Sequence, residues 1–554
     1  MRYSKLAEIY EKLENTPKKL KKRDILADLY KKTKSNELRI TVLLSMGAIF
    51  PRGEYDLGIA REMVKKTISK TYGINEKDIT KKFKETGDLG LVAEFFASHK
   101  KQKTLGSKEL HVEKVFDNLE KLPTVSGGGS QDRKMALVSE LLSFASGKEA
   151  RYVVRTTLGD MRIGVAEGIV RDAIALAFDK DKKDVEKLYD IIGDYGKVAV
   201  NVKKGIMKAE MKVGKAIRVM LAERSGGLED AWKKAYSEPT VTEIKYDGFR
   251  VQIHKDGDKI KIFSRRMEDV SRQFPDLVSL AKKNITAEKC IIEGEVVAID
   301  KNGKSKPFQV LSRRIQRKHN IEKMVKEIPV RSNFFDLIYI DGENYMQKPL
   351  RKRWDKLKKI IKQTKDFKLA EHIESKDKDE VEKFYEKSLA MGEEGIIIKY
   401  LDAQYQPGKR VGYWLKVKPT MEPLDLVIVG AEWGEGKRAK WFGSLLLACR
   451  QDDKYIETGR MASGLTEEQM ADITKRLRPL ITEEHGKRIK VQAKFVVEIG
   501  YEEIQVSSKY PSGYALRFPK LLCFRPDRSA DDCTTLKEII KLYGLQRAGL
   551  RKSS

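Results

Sequence analysis

The chain has 554 residues, and its 111 Lys and Arg outweigh 82 Asp and Glu to leave a formal net charge of +29; the length suits about three or four domains, and the basic excess favours a polyanionic partner, nucleic acid first. The four cysteines, Cys290, Cys449, Cys523 and Cys533, include no Cys-x-x-Cys pair, which argues against a disulfide framework and a structural zinc site. No apolar run approaches the roughly 20 residues of a membrane-spanning helix and the start, MRYSKLAEIYEKLE, has no signal-peptide core, so an intracellular protein with no membrane partner is expected.

Up to about residue 225 the pattern is helical. Leu6, Ile9, Tyr10 and Leu13 share one helical face, as do Leu137, Val138, Leu141 and Leu142, and again Ile169, Val170, Ala173, Ile174 and Ala177. Lysine-rich stretches such as KKLKKRD and KKDVEKL alternate with these stripes. The segment SGGGSQ, with Gly127, Gly128 and Gly129, reads as a loop opening onto a helix. It is either a phosphate cradle made of backbone N–H groups or a plain turn before the helix.

From roughly 235 to 420 the texture is mixed α/β. VQIHKDGDKIKIFS reads as a hairpin around Asp256-Gly257. CIIEGEVVAID and FFDLIYID read as strands, the second running into a turn at Asp341-Gly342, and PLRKRWDKLKKIIK as a basic helix. After Pro423 the short strands DLVIVGAEW, GSLLLACR, KYIETGRM and KFVVEIGYEEIQV fit a small barrel of the oligonucleotide-binding type.

TEIKYDGFR places Lys245 two residues before Asp247 and three before Gly248, between an apolar run and the hairpin. Alone, Lys-x-Asp-Gly is a weak signal. A lysine that attacks a phosphate must be unprotonated, positioned and surrounded by charge-neutralising groups, and burial with nearby cations would depress its pKa. Such groups follow in order: SRR at 264–266, EGEVVA at 293–298, FFDLIY at 334–339, EEGIIIK at 393–399, WLKVKP at 414–419, ALRFPK at 515–520 and RPDR at 525–528.

This ordered series resembles the nucleotidyltransferase motifs of ATP-dependent DNA ligases of the three-domain archaeal and eukaryotic replicative type, and the resemblance spans nearly the whole chain. LGDMRIGVAEGIVRDAIA and VGKAIRVMLAER look like the end of that family's helical DNA-binding domain. The implied fold is multidomain α+β: an all-helical DNA-binding domain over 1–225, an α/β nucleotidyltransferase domain over 226–421 and an OB-fold barrel over 422–554. The implied activity is sealing of nicked duplex DNA through an AMP carried on lysine, with ATP and Mg²⁺ as cofactors and phosphate contacts that read no base code.

The resemblance also implies roles. Lys245 would be the nucleophile and Asp247 would orient it, while Gly248 allows close backbone approach. Glu243 would sit beside the adenine, Phe335 would stack on it, and Arg250 would bind the ribose and phosphate side. Arg265 would clamp a phosphate through its forked donors, with Arg266 solvated. Glu295 matches the ribose or metal carboxylate, with Glu293 two positions away on the same strand face as the alternative. Either Phe334 or Phe335 must fill the core, since successive strand residues face opposite ways.

Glu394 would hold Mg²⁺ with Glu393 as its solvated neighbour, and Lys399 is either structural or catalytic. Lys416 and Lys418 share a strand face and would reach the α-phosphate. Arg525 would contact departing pyrophosphate; the family's terminal lysine of that motif is replaced here by Arg528, which keeps the charge and changes the donor geometry. KKQKTL, residues 100–105, sits where archaeal relatives carry a sliding-clamp contact but lacks the usual aromatic pair, so clamp binding near Gln102–Leu105 is a minor expectation beside a monomer acting on the chromosome. RNA ligases and mRNA capping guanylyltransferases share the Lys-x-Asp-Gly chemistry without a resemblance to the helical segment, an NAD-dependent ligase would carry a cysteine cluster, and a non-catalytic scaffold would not need Lys245, Glu394 and Lys418 intact.

Overall fold

The computed structural model describes all residues except 52–54, 100–108, 236–238, 318, 420, 435–437, 439, 463 and 548–554; the segment around Gln102–Leu105 therefore lies outside the described residues. The apolar stripes become buried helix faces: Leu6, Tyr10 and Leu13 on Tyr3–Glu14, Val138, Leu141 and Leu142 on Ser130–Phe144, and Val170, Ala173, Ile174 and Ala177 on Glu167–Ala177. The chain forms two units, one of Met1–Val219 with His254–Gly257 and Lys261–Val270, the other of Met220–Ile253, Asp258–Ile260 and Ser271–Ser554. Among the described residues, no helix is long and apolar enough to cross a membrane.

Among the described residues of Met1–Val219, the regular elements are all helices. These helices are tied by a buried ion network as well as by apolar packing: the guanidinium of Arg155 reaches Asp88 at 2.7 Å and Glu14 at 2.8 Å. Such a network is stabilising only while every charge keeps its partner. The SGGGSQ segment does open onto a helix, with Gly129 at φ +68° just before Ser130. Arg133 donates to the carbonyl oxygens of Gly128 and Ser126, which closes that loop on itself.

The second unit begins with a five-stranded sheet whose strands are β1 (Leu221–Arg224), β2 (Thr240–Lys245), β10 (His372–Ile373), β11 (Gly395–Tyr400) and β12 (Arg410–Val417), in the order β1-β12-β11-β2-β10. Its edge strand β1 thus takes in residues on the helical side of the boundary placed at 225. A hairpin of β3 (Phe249–Asp256) and β4 (Lys259–Ser264) closes on the Asp256-Gly257 turn as the sequence suggests, with Gly257 at φ 56°.

Next comes β5 (Lys289–Ile299), paired along its length with β7 (Val330–Ile340), which turns at Asp341-Gly342 into β8 (Glu343–Asn344). The short strands β6 (Ser305–Lys306) and β9 (Phe367–Leu369) pair with β5 and β7. The basic helix Leu350–Ile360 sheds water from one face only. There Arg353 turns inward to Asp336 of β7 at 2.6 Å, with both side chains buried.

The C-terminal part is β-rich: β13 (Leu424–Trp433), β14 (Phe442–Gln451), β15 (Lys454–Met461), β16 (Ile481–His485), β17 (Arg488–Val491), β18 (Val496–Gly500), β19 (Glu503–Val506), β20 (Tyr514–Arg517) and β21 (Lys520–Phe524). Alternating residues such as Leu426, Ile428, Leu445, Leu447, Val497 and Ile499 fill its interior, as period-2 patterning requires. β13 bends to pair with β14, β17 and β18, and β18 in turn pairs with β21.

Candidate active site

Strand register gathers the site. Lys245 lies opposite Gly395, Glu243 opposite Ile397 and Val241 opposite Lys399, while Lys416 and Trp414 of β12 lie opposite Ile397 and Lys399. Cross-strand partners share a face, so one face of the sheet displays Glu243, Lys245, Ile397, Lys399, Trp414 and Lys416. Lys418 follows two residues after Lys416. Gly395 makes this row possible, because a Cβ there would lie 2.2 Å from the Val417 carbonyl oxygen and its φ is +130°.

Glu394 sits at the centre. Its Oε2 pairs with Lys245 and, at 2.9 Å, with Lys418, and its own backbone N–H donates to the Lys245 carbonyl at 2.9 Å. Burial would raise the Glu394 carboxyl, but the two lysines hold it well below the usual carboxylate range. Asp247 accepts the Phe308 N–H at 3.1 Å at the start of the helix Phe308–Ile315. Burial, and then the charge of Glu394, push it up to about 7. Glu295 is likewise raised to about 7 by burial, against the pull of Lys245 and Arg250.

Lys245 departs from expectation. Burial alone would lower the Lys245 pKa, yet Glu394, Glu295 and Asp247 outweigh it and the net shift is upward. Three acids close to one ammonium stabilise its charged form. The lysine that is depressed is Lys416, to about 8, by burial and by the charges of Lys418 and Lys245.

One further expectation needs correction. Glu393 is not solvated: it is buried, and its Oε2 accepts the backbone N–H of Asp247 at 2.9 Å. Arg250 donates one Nη to the Met220 carbonyl at 2.7 Å and the other to Glu293 at 2.6 Å. Glu293 also receives Gln252 and the Tyr405 hydroxyl, so it serves as a buried anchor, while Glu295 is the acid of that pair near Lys245. A β-bulge between Glu293 and Gly294 separates the two environments.

On the base side, Phe334 packs on Phe367 in the core at 4.4 Å between ring centroids. Phe335 instead faces Trp414 edge-on at 6.0 Å, with the Lys399 ammonium 4.2 Å from its ring centroid. Glu243 is buried between Lys399, at 2.6 Å, and the Trp354 indole N–H, at 3.2 Å. Arg265 and Arg266 are both exposed on the turn after β4.

Several residues near the site were missed. Lys418 reaches Glu502 at 3.4 Å, and Arg517 of β20 lies 3.1 Å from Glu503 and 3.9 Å from Glu394. The only signals were the ALRFPK segment and an acidic pair in a strand, and neither singles out a residue. Arg525 lies elsewhere: it pairs with Asp425 at 3.1 Å and Asp527 at 2.7 Å, and Arg528 also reaches Asp425 at 3.1 Å.

Chemically, the site offers the Lys245 amine near Glu394, Glu295 and Asp247, with Lys418 on the same Glu394 oxygen and the buried aromatics Phe335 and Trp414 further along the sheet. Such a set can stabilise charge developing on a phosphoryl group. Glu394 and Glu295 also suit Mg²⁺, a hard cation usually held by one or two carboxylates together with substrate phosphates.

Three family models match the chain: the DNA ligase N terminus over residues 2–175, the ATP dependent DNA ligase domain over 219–418 and the ATP dependent DNA ligase C terminal region over 438–528. A DNA ligase of Thermococcus fumicolans is 42% identical over 553 residues, covering 99% of each chain. A DNA ligase of Nanoarchaeum equitans is 42% identical over 568 residues, covering 100% of each. The solved structure named Pmar-Lig_Pre. shares the fold at a TM-score of 0.58 and 19% identity, over 94% of this chain and 99% of its own.

Proposed function

The chain belongs to the ATP-dependent DNA ligase family, and from that footing we propose that it seals nicks in duplex DNA by carrying AMP on Lys245. The observation that supports this most directly is the convergence of Lys245, Lys418 and Glu394 on one point of the sheet face, with Glu295 and Asp247 beside them.

The reaction consists of three displacements at phosphorus. The Lys245 Nζ attacks the α-phosphate of ATP, forming a P–N bond as pyrophosphate leaves. A 5′-phosphate oxygen of the nick then displaces the lysine and takes the AMP. Finally the 3′-hydroxyl attacks that phosphate and expels AMP, losing its proton as the phosphodiester forms.

Lys245 enters the first step as a neutral amine, so its proton must pass to a neighbour or to solvent. Asp247, pushed up to about 7, is poised to exchange that proton. Lys416 and Lys418 set the α-phosphate and counter the charge that builds on it, and the persistence of that phosphate through all three steps keeps them in use. Glu295 and Glu394 would hold Mg²⁺, which when bound supplies positive charge to the phosphates and relieves Lys245 of its carboxylate partners. Arg265 would clamp a phosphate and Arg525 would meet pyrophosphate. DNA contacts through the basic surface would be to phosphates, hence salt-sensitive and indifferent to sequence.

The test is direct. With ATP and Mg²⁺ the intact protein should gain the mass of one AMP and Lys245→Ala should gain none, while nick sealing should proceed with ATP and fail with NAD. A full AMP adduct on the alanine variant would overturn the assignment.

A further inference from the structure

In the sheet Lys399 lies opposite Val241 and Trp414, two rows from the Gly395–Lys245 pair. It is only 1% exposed, and its ammonium is held 4.2 and 4.3 Å from the ring centroids of Phe335 and Trp414 and 2.6 Å from Glu243. Burying an ion pair of this kind is costly, and an apolar pair of similar volume is often at least as stable. A role in choosing the ligand accounts for it better than a role in holding the fold.

We propose that Lys399 is the specificity-determining residue for the purine: it keeps Glu243 an ionised, acceptor-only group, so that the site takes adenine nucleotides and rejects guanine ones. The inference rests on the reading that Lys245 accepts a nucleotide whose base lies on Phe335. Adenine carries an amino donor at its 6-position and guanine a carbonyl acceptor. An ionised carboxylate can only accept, whereas a protonated one can also donate. Glu243 already receives the Trp354 N–H on Oε1 and Lys399 on Oε2, and a carboxylate has about four acceptor sites, so room remains for an amino group and none is suited to a carbonyl.

Burial pushes the Glu243 carboxyl toward its neutral form, and Lys399 is the strongest influence against that shift. The other groups facing the pair are His372 and Tyr246 near Glu243, and Asp336 and Arg250 near Lys399. Without Lys399, Glu243 would gain a proton and with it the ability to donate to the guanine carbonyl.

The test offers full-length protein ATP and GTP together with Mg²⁺ and reads the AMP and GMP adducts on Lys245 by mass. Wild type should carry AMP. Lys399→Met should raise the GMP:AMP ratio by about tenfold or more, the scale of one matched base contact, and Lys399→Arg should restore it. Glu243→Gln, which is neutral and both donates and accepts, should raise the ratio without touching Lys399. An unchanged ratio in Lys399→Met that still labels with AMP overturns the proposal. If Lys399→Met fails to fold, Glu243→Gln decides: a raised ratio supports the proposal, and full AMP preference, or loss of all labelling in a folded protein, overturns it. Absence of any adduct on wild type would instead overturn the ligase reading.

Discussion

Glu393 and Asp247 are joined by a hydrogen bond from the Asp247 backbone N–H to the buried Glu393 Oε2 at 2.9 Å, which fixes the turn directly after Lys245. Because Glu394, the next residue, pairs with Lys245 itself, one dipeptide holds both ends of the Lys245–Asp247 segment. Removing the acceptor strands a buried N–H, at a cost of about 1–3 kcal/mol, and lets the lysine drift from its line of attack. Glu393→Ala should therefore slow AMP attachment by about tenfold or more, whereas Glu393→Gln keeps an acceptor and should stay near wild type. Rates of adduct formation measure both, and equal rates for alanine and wild type would remove Glu393 from the positioning machinery.

The residues that make sheet register were readable from sequence; the residues that make electrostatics were not. Period-2 spacing places Lys416 and Lys418 on one strand face, and geometry of this kind follows from alternation alone. The polarity of a local environment does not. Glu393 looks like a surface acid until a turn folds over it, and nothing in the sequence pairs Arg250 with Glu293. The upward shift of Lys245 has the same origin: Glu394 and Glu295, both distant in sequence, converge on it beside Asp247, and only tertiary structure reveals the sum.

Gly248 is sterically locked. A Cβ there would lie 2.6 Å from the Val296 carbonyl oxygen and 2.8 Å from Glu295 Cγ, so Gly248→Ala must displace β5 or the acid it carries. Overpacking of this sort costs about 1–3 kcal/mol of stability. Labelling should suffer more than stability does, because Glu295 moves relative to Lys245. A thermal melt paired with the adduct assay would show it, and an alanine variant with normal labelling would mean that Glu295 tolerates displacement.

Arg353 and Asp336 form a buried pair behind Phe335, and Arg353 also donates to the Lys348 and Ala403 carbonyls. Arg353→Met leaves Asp336 buried without its counter-charge and should destabilise the protein by about 3–5 kcal/mol. Adding Asp336→Leu removes the stranded charge and should recover part of the loss. Denaturation of both variants tests this; a double variant no more stable than the single one would place the loss in packing instead.

The depressed pKa of Lys416, about 8, predicts an alkaline limb. A lysine lowered in the folded protein carries full charge below that value and loses it as pH rises through it. Its attraction for the α-phosphate then fades, so the KM for ATP in adduct formation should rise above about pH 8. Lys416→Arg stays protonated and should flatten that limb while lowering the rate through altered geometry. Identical limbs in the two proteins would mean that another group sets the alkaline side.

Arg525 and Arg517 have different partners in the C-terminal part. Arg517 approaches Glu394, while Arg525 is held by Asp425 and Asp527. On the proposed ligase reading, Arg525 would meet pyrophosphate when the β-rich part closes over ATP, a lid motion of the kind that often gates turnover. Pyrophosphate exists only in the first displacement, so the need for Arg525 should end there. Arg525→Ala should cripple AMP attachment yet largely spare sealing of a nick whose 5′ end already carries AMP. Lys418→Ala should impair both assays, since Lys418 pairs with the central Glu394 and the phosphate it serves persists throughout. A loss of the same size in both assays for Arg525→Ala would show that Arg525 also acts on DNA, and the proposed division of labour between Arg525 and Lys418 would fail.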